Sequence, residues 1–199
     1  NIVGKYGNPV QKLLQKLSPQ DIQTICPTHG PVWCERRAEA VALYDRLSRY
    51  EGAAGVTILY GSMYGHTEQM AETVAASLAE HGIRDIVMHD ASKTHSSYML
   101  KDVFHYRGLL VGCPTYSGQL FPAIESVLKQ IETREVKNRL FGYFGSFTWA
   151  GMAVKRLAAF AETMKWETVG EPVEQKQAMS DETFRKCREL GKAMAERIQ

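Results

Sequence analysis

The sequence predicts an α/β fold in which a parallel β-sheet lies between two layers of helices. Three observations carry that expectation. From Val56 onward, short apolar runs alternate with longer amphipathic ones, the pattern of strands that cross over through helices. The first apolar run ends in a glycine-containing, hydroxyl-rich turn, Gly61 to Thr67, that leads directly into a helix-patterned run. Two later apolar runs end in loops of similar character, one after Gly112 and one after Gly145.

Taken in order, the chain opens with Asn8-Pro9 before a helical pattern (Val10, Leu13, Leu14, Leu17) that Ser18-Pro19 breaks. Ile22 to Ile25 reads as a short strand, followed by Cys26-Pro27-Thr28-His29-Gly30-Pro31-Val32-Trp33 and a charged helix from Glu35 to Tyr50. The stretch before Gly55 is too short to fold alone, so its apolar positions are expected to cover something outside this sequence. Because the chain starts at Asn1, within a helix-like pattern, it reads as a fragment.

Five strands are expected thereafter: Val56 to Tyr60, Arg84 to His89, Gly108 to Gly112, Leu140 to Gly145, and a weaker one near Trp166 to Val169. Helices are expected near Glu68 to His81, Ser96 to Phe104, Pro122 to Ile131, Ala150 to Met164 and Asp181 to Ile198. In the first of these, Met70, Val74 and Leu78 recur every fourth residue beside Ala71 and Ala75, whereas Glu68, Glu72 and Glu80 face elsewhere. The last opens on the cap-rich Ser180-Asp181-Glu182-Thr183 and carries Phe184, Cys187, Leu190 and Met194 at helical spacing.

Composition narrows the function classes. The 199 residues suffice for one well-buried domain plus an appendage, with 44% hydrophobic and 23% charged residues and a formal charge of +2. No basic cluster with interleaved aromatics points to nucleic acid, and no apolar run approaches a membrane span. Cys26, Cys34, Cys113 and Cys187 are scattered without metal-ligand or disulfide spacing, so reduced thiols in the cytoplasm are expected.

The chemistry is concentrated in the turn Gly61-Ser62-Met63-Tyr64-Gly65-His66-Thr67. A strand-to-helix turn exposes unsatisfied backbone N–H groups with the positive end of the helix macrodipole behind them. Ser62, Tyr64 and Thr67 add hydroxyl donors, and no acidic side chain intrudes. The Gly-Lys-Ser/Thr ending of a Walker loop is missing, and the glycines are wrongly spaced for a dinucleotide fingerprint. Either a phosphomonoester completes this turn, or it is an ordinary cap in which Ser62 or Thr67 satisfies backbone donors.

In an open parallel sheet the ligand crevice lies beyond the carboxyl ends of the strands. The turn should therefore converge with Cys113-Pro114-Thr115-Tyr116-Ser117-Gly118-Gln119 and Ser146-Phe147-Thr148-Trp149-Ala150-Gly151. Their aromatics and hydroxyls suit a planar ring system attached to the phosphate. Trp149 reads equally as a core aromatic, His66 as a solvated helix-start residue, and Cys113 as a small buried apolar residue.

Ser62-Met63-Tyr64-Gly65-His66-Thr67 resembles the Ser/Thr-x-Thr/Tyr-Gly-x-Thr phosphate loop of flavodoxins, which bind FMN. Gly112-Cys113-Pro114-Thr115 and Gly145 to Gly151 match the other two flavin loops in order and spacing. A more specific resemblance is to flavodiiron proteins, in which a metallo-β-lactamase-like diiron domain precedes a flavodoxin domain. Their Pro-Ser/Thr-His-Gly motif, linking helix and Tyr-Gly-Ser-Met-Tyr-Gly loop are matched by Pro27-Thr28-His29-Gly30, the Glu35 to Tyr50 helix and Tyr60 to Gly65.

The resemblance implies a flavodoxin-like three-layer sandwich with strand order 2-1-3-4-5. It divides the chain into a diiron-domain remnant (1–34), a helical linker (35–54) and an FMN-binding domain (55–199). Cofactor contacts are implied for Ser62, Met63, Tyr64, Gly65, His66 and Thr67, for Pro114, Thr115, Tyr116, Ser117 and Gly118, and for Ser146, Phe147, Thr148, Trp149 and Gly151. No residue here is given a catalytic role. His29 would ligate iron only in a full-length protein, because the family's His-x-Glu-x-Asp-His segment is not in this sequence.

The implied activity of the full-length protein is reduction of dioxygen to water or of nitric oxide to nitrous oxide. Electrons would come from rubredoxin or a flavin reductase, within a head-to-tail homodimer. Two other readings suit the same residues: an FMN-dependent NAD(P)H:quinone reductase, and a non-catalytic module that binds a phosphorylated ligand or a partner.

Overall fold

The computed structural model describes residues 4–199; Asn1, and with it the first three residues of the expected 1–34 remnant, lies outside the described residues. The elements are α1 Gly7–Leu17, α2 Arg37–Ser48, β1 Ala53–Tyr60, α3 His66–Glu80, β2 Ile86–Asp90, α4 Ser96–His105 and β3 Tyr106–Tyr116, followed by β4 Gln119–Leu120, α5 Pro122–Thr133, β5 Leu140–Phe147, α6 Ala153–Met164, β6 Glu167–Thr168, β7 Val173–Lys176 and α7 Asp181–Ile198.

The main sheet is parallel in the order β2-β1-β3-β5-β6; β5 and β6 are the expected fourth and fifth strands, so the expected order 2-1-3-4-5 is kept and differs only by β4, added on β3, and β7, added on β5. Two local features account for the difference. β3 runs past Gly112 to Tyr116 and turns back through Ser117 (φ 49) and Gly118 (φ 69) into the antiparallel β4. Two consecutive positive-φ residues make the tight turn whose twist suits a hairpin. The expected fifth strand is reduced to β6, which pairs with Leu140 and Phe141, and an unforeseen strand β7 continues that edge opposite Phe144 to Phe147. Gly170 at φ 71 and the amide-less Pro172 interrupt the ladder between them.

Each face of the sheet buries one layer. Leu59, Leu109, Val111 and Phe141 pack with Leu100 and Val103 of α4, Ile124 and Ile131 of α5, and Leu157 of α6. On the other face Val56, Ile58, Leu110 and Phe144 meet Met70, Val74 and Leu78 of α3 and Cys187, Leu190 and Met194 of α7, the apolar stripes expected of those two helices except for Phe184, which lies exposed in the first turn of α7. α3 and α7 approach so closely that a Cβ on Gly191 would lie 2.7 Å from the Ser77 Cβ. Ser77 Oγ uses that proximity to donate to the Arg188 carbonyl at 2.6 Å.

The expected strand at Ile22 to Ile25 is reduced to one antiparallel bridge, Ile25 with Trp33. Pro27 and Pro31 lie between the two partners and offer no backbone donors to extend it. The linker helix is shorter at both ends than the expected Glu35 to Tyr50, and it packs on α1 through Gln11 Nε2, which donates to Asp45 Oδ1 and Ser48 Oγ, each at 2.8 Å.

Arg139, 2% exposed, ties this appendage to the sheet. Its guanidinium donates to the carbonyls of Val103 (2.7 Å) and Phe104 (2.8 Å) at the end of α4 and of Tyr50 (2.8 Å) beyond α2. Burial pushes its pKa down to about 10, which leaves it charged at neutral pH. Three carbonyls would lose their donor in Arg139→Ala, each at a cost of about 1–3 kcal/mol. We expect the urea midpoint to fall by an amount equivalent to about 3 kcal/mol or more with an unchanged m-value; a loss below about 1 kcal/mol would contradict this role.

Candidate functional site

The carboxyl ends of β1, β3 and β5 are level with one another. Tyr60 pairs with Gly112, Gly112 with Phe144, and Pro114 with Ser146, so the three following loops leave the sheet side by side. They enclose a small pocket of about 20 Å³ lined by Ser62, Met63, Tyr64, His66, Thr67, Pro114, Thr115, Ser146, Phe147 and Thr148. Ten of the sequence-expected residues thus line one recess, and none of the ten is acidic.

The first loop has the form of an anion cradle. Gly65 takes φ 84 as the residue before α3 and supplies no side-chain cap. The N–H groups of His66, Thr67 and Glu68 find no acceptor among the described residues, the first intrahelical partner being Gln69 N–H to Gly65 O. Ser62 Oγ accepts from Gly65 N–H at 3.1 Å, so the cap reading holds for that one amide and leaves the helix end itself open. Glu68, whose charge would oppose an anion, is drawn away to accept a hydrogen bond from Tyr60 OH at 2.9 Å. Burial and this carboxylate push the tyrosine up to about 12.

At the pocket floor Thr67 and Ser146, both buried, share a hydroxyl hydrogen bond of 2.9 Å. This pair joins the start of α3 to the end of β5, and it gives a ligand two hydroxyls that satisfy each other in its absence. Gly112 lies beside it: a Cβ there would meet the Phe144 ring at 2.3 Å and the Thr67 methyl at 3.1 Å.

The second loop divides in function. Pro114 is buried and lines the pocket, and Thr115 Oγ1 accepts from Met152 N–H and Ala153 N–H, each at 3.0 Å, at the start of α6. Tyr116, Ser117 and Gly118 form the hairpin turn outside the pocket lining; Tyr116 stands edge-on to Phe121 at 6.1 Å between centroids. In the third loop Ser146, Phe147 and Thr148 line the pocket, whereas Trp149 is 90% exposed and extends the rim instead of serving as core. Gly151 lies under Glu174, where a Cβ would come within 2.4 Å of the carboxylate. Burial raises the Glu174 pKa.

Sequence reasoning missed Phe121, which closes over Gly61, and Glu174. Phe121 was signalled by its place just before the helix-opening Pro122, and Glu174 by nothing, because β7 was not foreseen. His29 sits in the exposed loop between Ile25 and Trp33. Among the described residues no group of three or more His, Cys, Asp or Glu side chains could hold a metal ion. No helix among them is long and apolar enough to cross a membrane.

A family model described as Flavodoxin matches residues 58–191. A nitric oxide reductase of Moorella thermoacetica is 28% identical over all of this chain and half of its own length. The rubredoxin oxygen:oxidoreductase of Desulfovibrio gigas superposes with a TM-score of 0.92 at 25% identity, over all of this chain and 50% of that one. The flavodiiron protein of Giardia intestinalis has the same fold, with a TM-score of 0.92 at 22% identity over all of this chain and 49% of that one. The chain spans about half the length of the curated relatives it matches.

The thiols supply a test of this packing. Cys113 and Cys187 are buried and pushed up to about 12, whereas Cys26 and Cys34 are exposed. Because the thiolate is the nucleophile, iodoacetamide at pH 8 should label only Cys26 and Cys34 in the folded chain and all four cysteines in urea, as read by mass spectrometry. Rapid native labelling of Cys113 would contradict the closed strand end described here.

Proposed function

The chain belongs to the flavodoxin family, and from that premise we propose that the three-loop crevice binds FMN and that the chain is the electron-carrying half of a flavodiiron-type oxidoreductase. The observation that carries the reading is the convergence of an uncapped helix start, two buried hydroxyls and an aromatic rim on one pocket without a carboxylate. A phosphate dianion is stabilised by such donors and dipole, and flat apolar walls suit the ring. Ser62, Met63, Tyr64, Gly65, His66 and Thr67 would anchor the phosphate, Thr115, Tyr116, Ser117 and Gly118 would contact the ring edge and Trp149 would cover a ring face, with Pro114, Ser146, Phe147, Thr148 and Gly151 as further cofactor contacts. Bound FMN supplies the redox chemistry, taking up and releasing electrons.

The remaining assignments follow the relatives. Residues 1–34 are the end of an upstream metallo-β-lactamase-like diiron domain, 35–54 the linker, and 55–199 the FMN domain. A hollow of about 720 Å³ between α1, α2 and the Ser18 to Ile25 segment, lined by Leu14, Leu17, Ile22, Ile25 and Val41, supports further chain packing against this part. In the longer protein His29 joins an iron site supplied mostly by that domain, and the FMN serves reduction of dioxygen or nitric oxide. A rubredoxin-type or flavin-reductase donor, a head-to-tail homodimer and a cytoplasmic location complete the reading; the four free cysteines support the last.

The test is FMN titration followed by quenching of its fluorescence and by the visible absorbance of the complex. We expect saturable one-to-one binding without steady NADH oxidation in the presence of a quinone. Thr67→Val, which removes a charge-assisted hydrogen bond worth about 1.5–3 kcal/mol, should weaken FMN by about tenfold or more. A chain that leaves FMN fluorescence unchanged would refute the proposal, and rapid NADH-to-quinone turnover would replace it with a quinone reductase.

A further inference from the structure

We infer that the Thr115 hydroxyl is a one-way hydrogen-bond donor to the flavin ring edge, locked in that sense by the start of α6. The inference rests on the FMN reading above and adds to it the direction of one bond and its redox consequence. A threonine hydroxyl has one hydrogen to give and two lone pairs to receive with. Both lone pairs are occupied, because Thr115 Oγ1 accepts from Met152 N–H and Ala153 N–H, each at 3.0 Å. Its own hydrogen has no acceptor among the described residues, and Thr115 is one of the residues that line the pocket.

The arrangement is held from both sides. Thr115 pairs with Leu120 in the β3–β4 hairpin, and Ala153 is fully buried at the start of α6. Turning the hydroxyl so that it could accept from a ligand would strip a hydrogen bond from one of the two amides. The ligand atom facing Thr115 must therefore be an acceptor, and the carbonyl oxygens of a flavin edge meet that requirement in the oxidised and the reduced ring alike, where its N–H groups do not.

Redox preference follows from the same geometry. Reduction makes the ring richer in electrons, so a fixed donor interacts more strongly with the reduced cofactor than with the oxidised one. The two amides behind the hydroxyl belong to the positive end of α6 and polarise the O–H in the same direction. Thr115 is thus a residue that favours reduced FMN as well as one that borders it.

The measurement is the ratio of affinities for reduced and oxidised FMN, obtained from the midpoint potential of the bound cofactor, in the unaltered chain, Thr115→Ser and Thr115→Val. Thr115→Ser, which keeps the hydroxyl, should leave the ratio unchanged. Thr115→Val should lower it by roughly three- to tenfold, and tenfold is about 30 mV for a two-electron couple. The helix cap is lost in Thr115→Val under any view, so thermal stability is not the readout.

If the ratio is the same in all three proteins while FMN still binds, Thr115 only caps α6 and the inference is wrong. Should Thr115→Val fail to fold, the unaltered chain answers directly: NMR of the complex with threonine-labelled protein should find a slowly exchanging Thr115 hydroxyl proton close to the ring, and its absence overturns the inference. Failure of the unaltered chain to bind FMN at all would instead remove the flavin reading, and this inference with it.

Discussion

The parallel register of β3 between β1 and β5 is the constraint on which the site depends. Tyr60 opposite Gly112 and Pro114 opposite Ser146 bring three loops, far apart in sequence, to one height above the sheet. A one-residue slip would turn every inward side chain outward and separate Thr67 from Ser146. Gly112 protects the register by having no side chain, since the Phe144 ring and Thr67 methyl occupy the place a Cβ would take.

The two ends of the sheet divide the work of stability and binding. At the amino end Arg139 satisfies the last carbonyls of α4 and the carbonyl of Tyr50 with a buried charge that has no carboxylate partner among the described residues, so its hydrogen bonds depend on the α2 and α4 ends staying in place. At the carboxyl end the start of α3 is left without acceptors and Glu68 is diverted to Tyr60. Leaving donors unsatisfied costs stability there, and the phosphate of the proposed cofactor would recover it.

Much of this was legible in the sequence because it rests on local patterns. The Met70, Val74, Leu78 stripe and the capping run at Ser180 predicted α3 and α7, and Ser180 does accept from Thr183 N–H. The hydroxyl-rich loops after the three apolar runs predicted where the pocket lies. What the sequence concealed depends on contacts between distant segments. The role of Thr115 as the cap of α6 joins residues 37 apart, and Glu174 reaches Gly151 only because β7 pairs with β5. The extent of β3 was underestimated because its last residues are set by their pairing partners: Pro114, with no donor of its own, sits opposite Ser146, and Thr115 and Tyr116 pair with β4. Trp149 was open between core and rim on sequence grounds, and only the course of its loop placed it in solvent.

In the proposed reading the phosphate of a flavin, more than its ring, selects this crevice, since the open helix start and the hydroxyl pair have no use for an uncharged ligand. Parallel titrations with FMN and riboflavin isolate that term, because the two ligands share one ring and differ only in the phosphate. The expected result is binding of FMN about a hundredfold or more tighter than riboflavin, equivalent to about 2.7 kcal/mol from charge-assisted hydrogen bonds. Equal affinity for the two, or binding of neither, would contradict it.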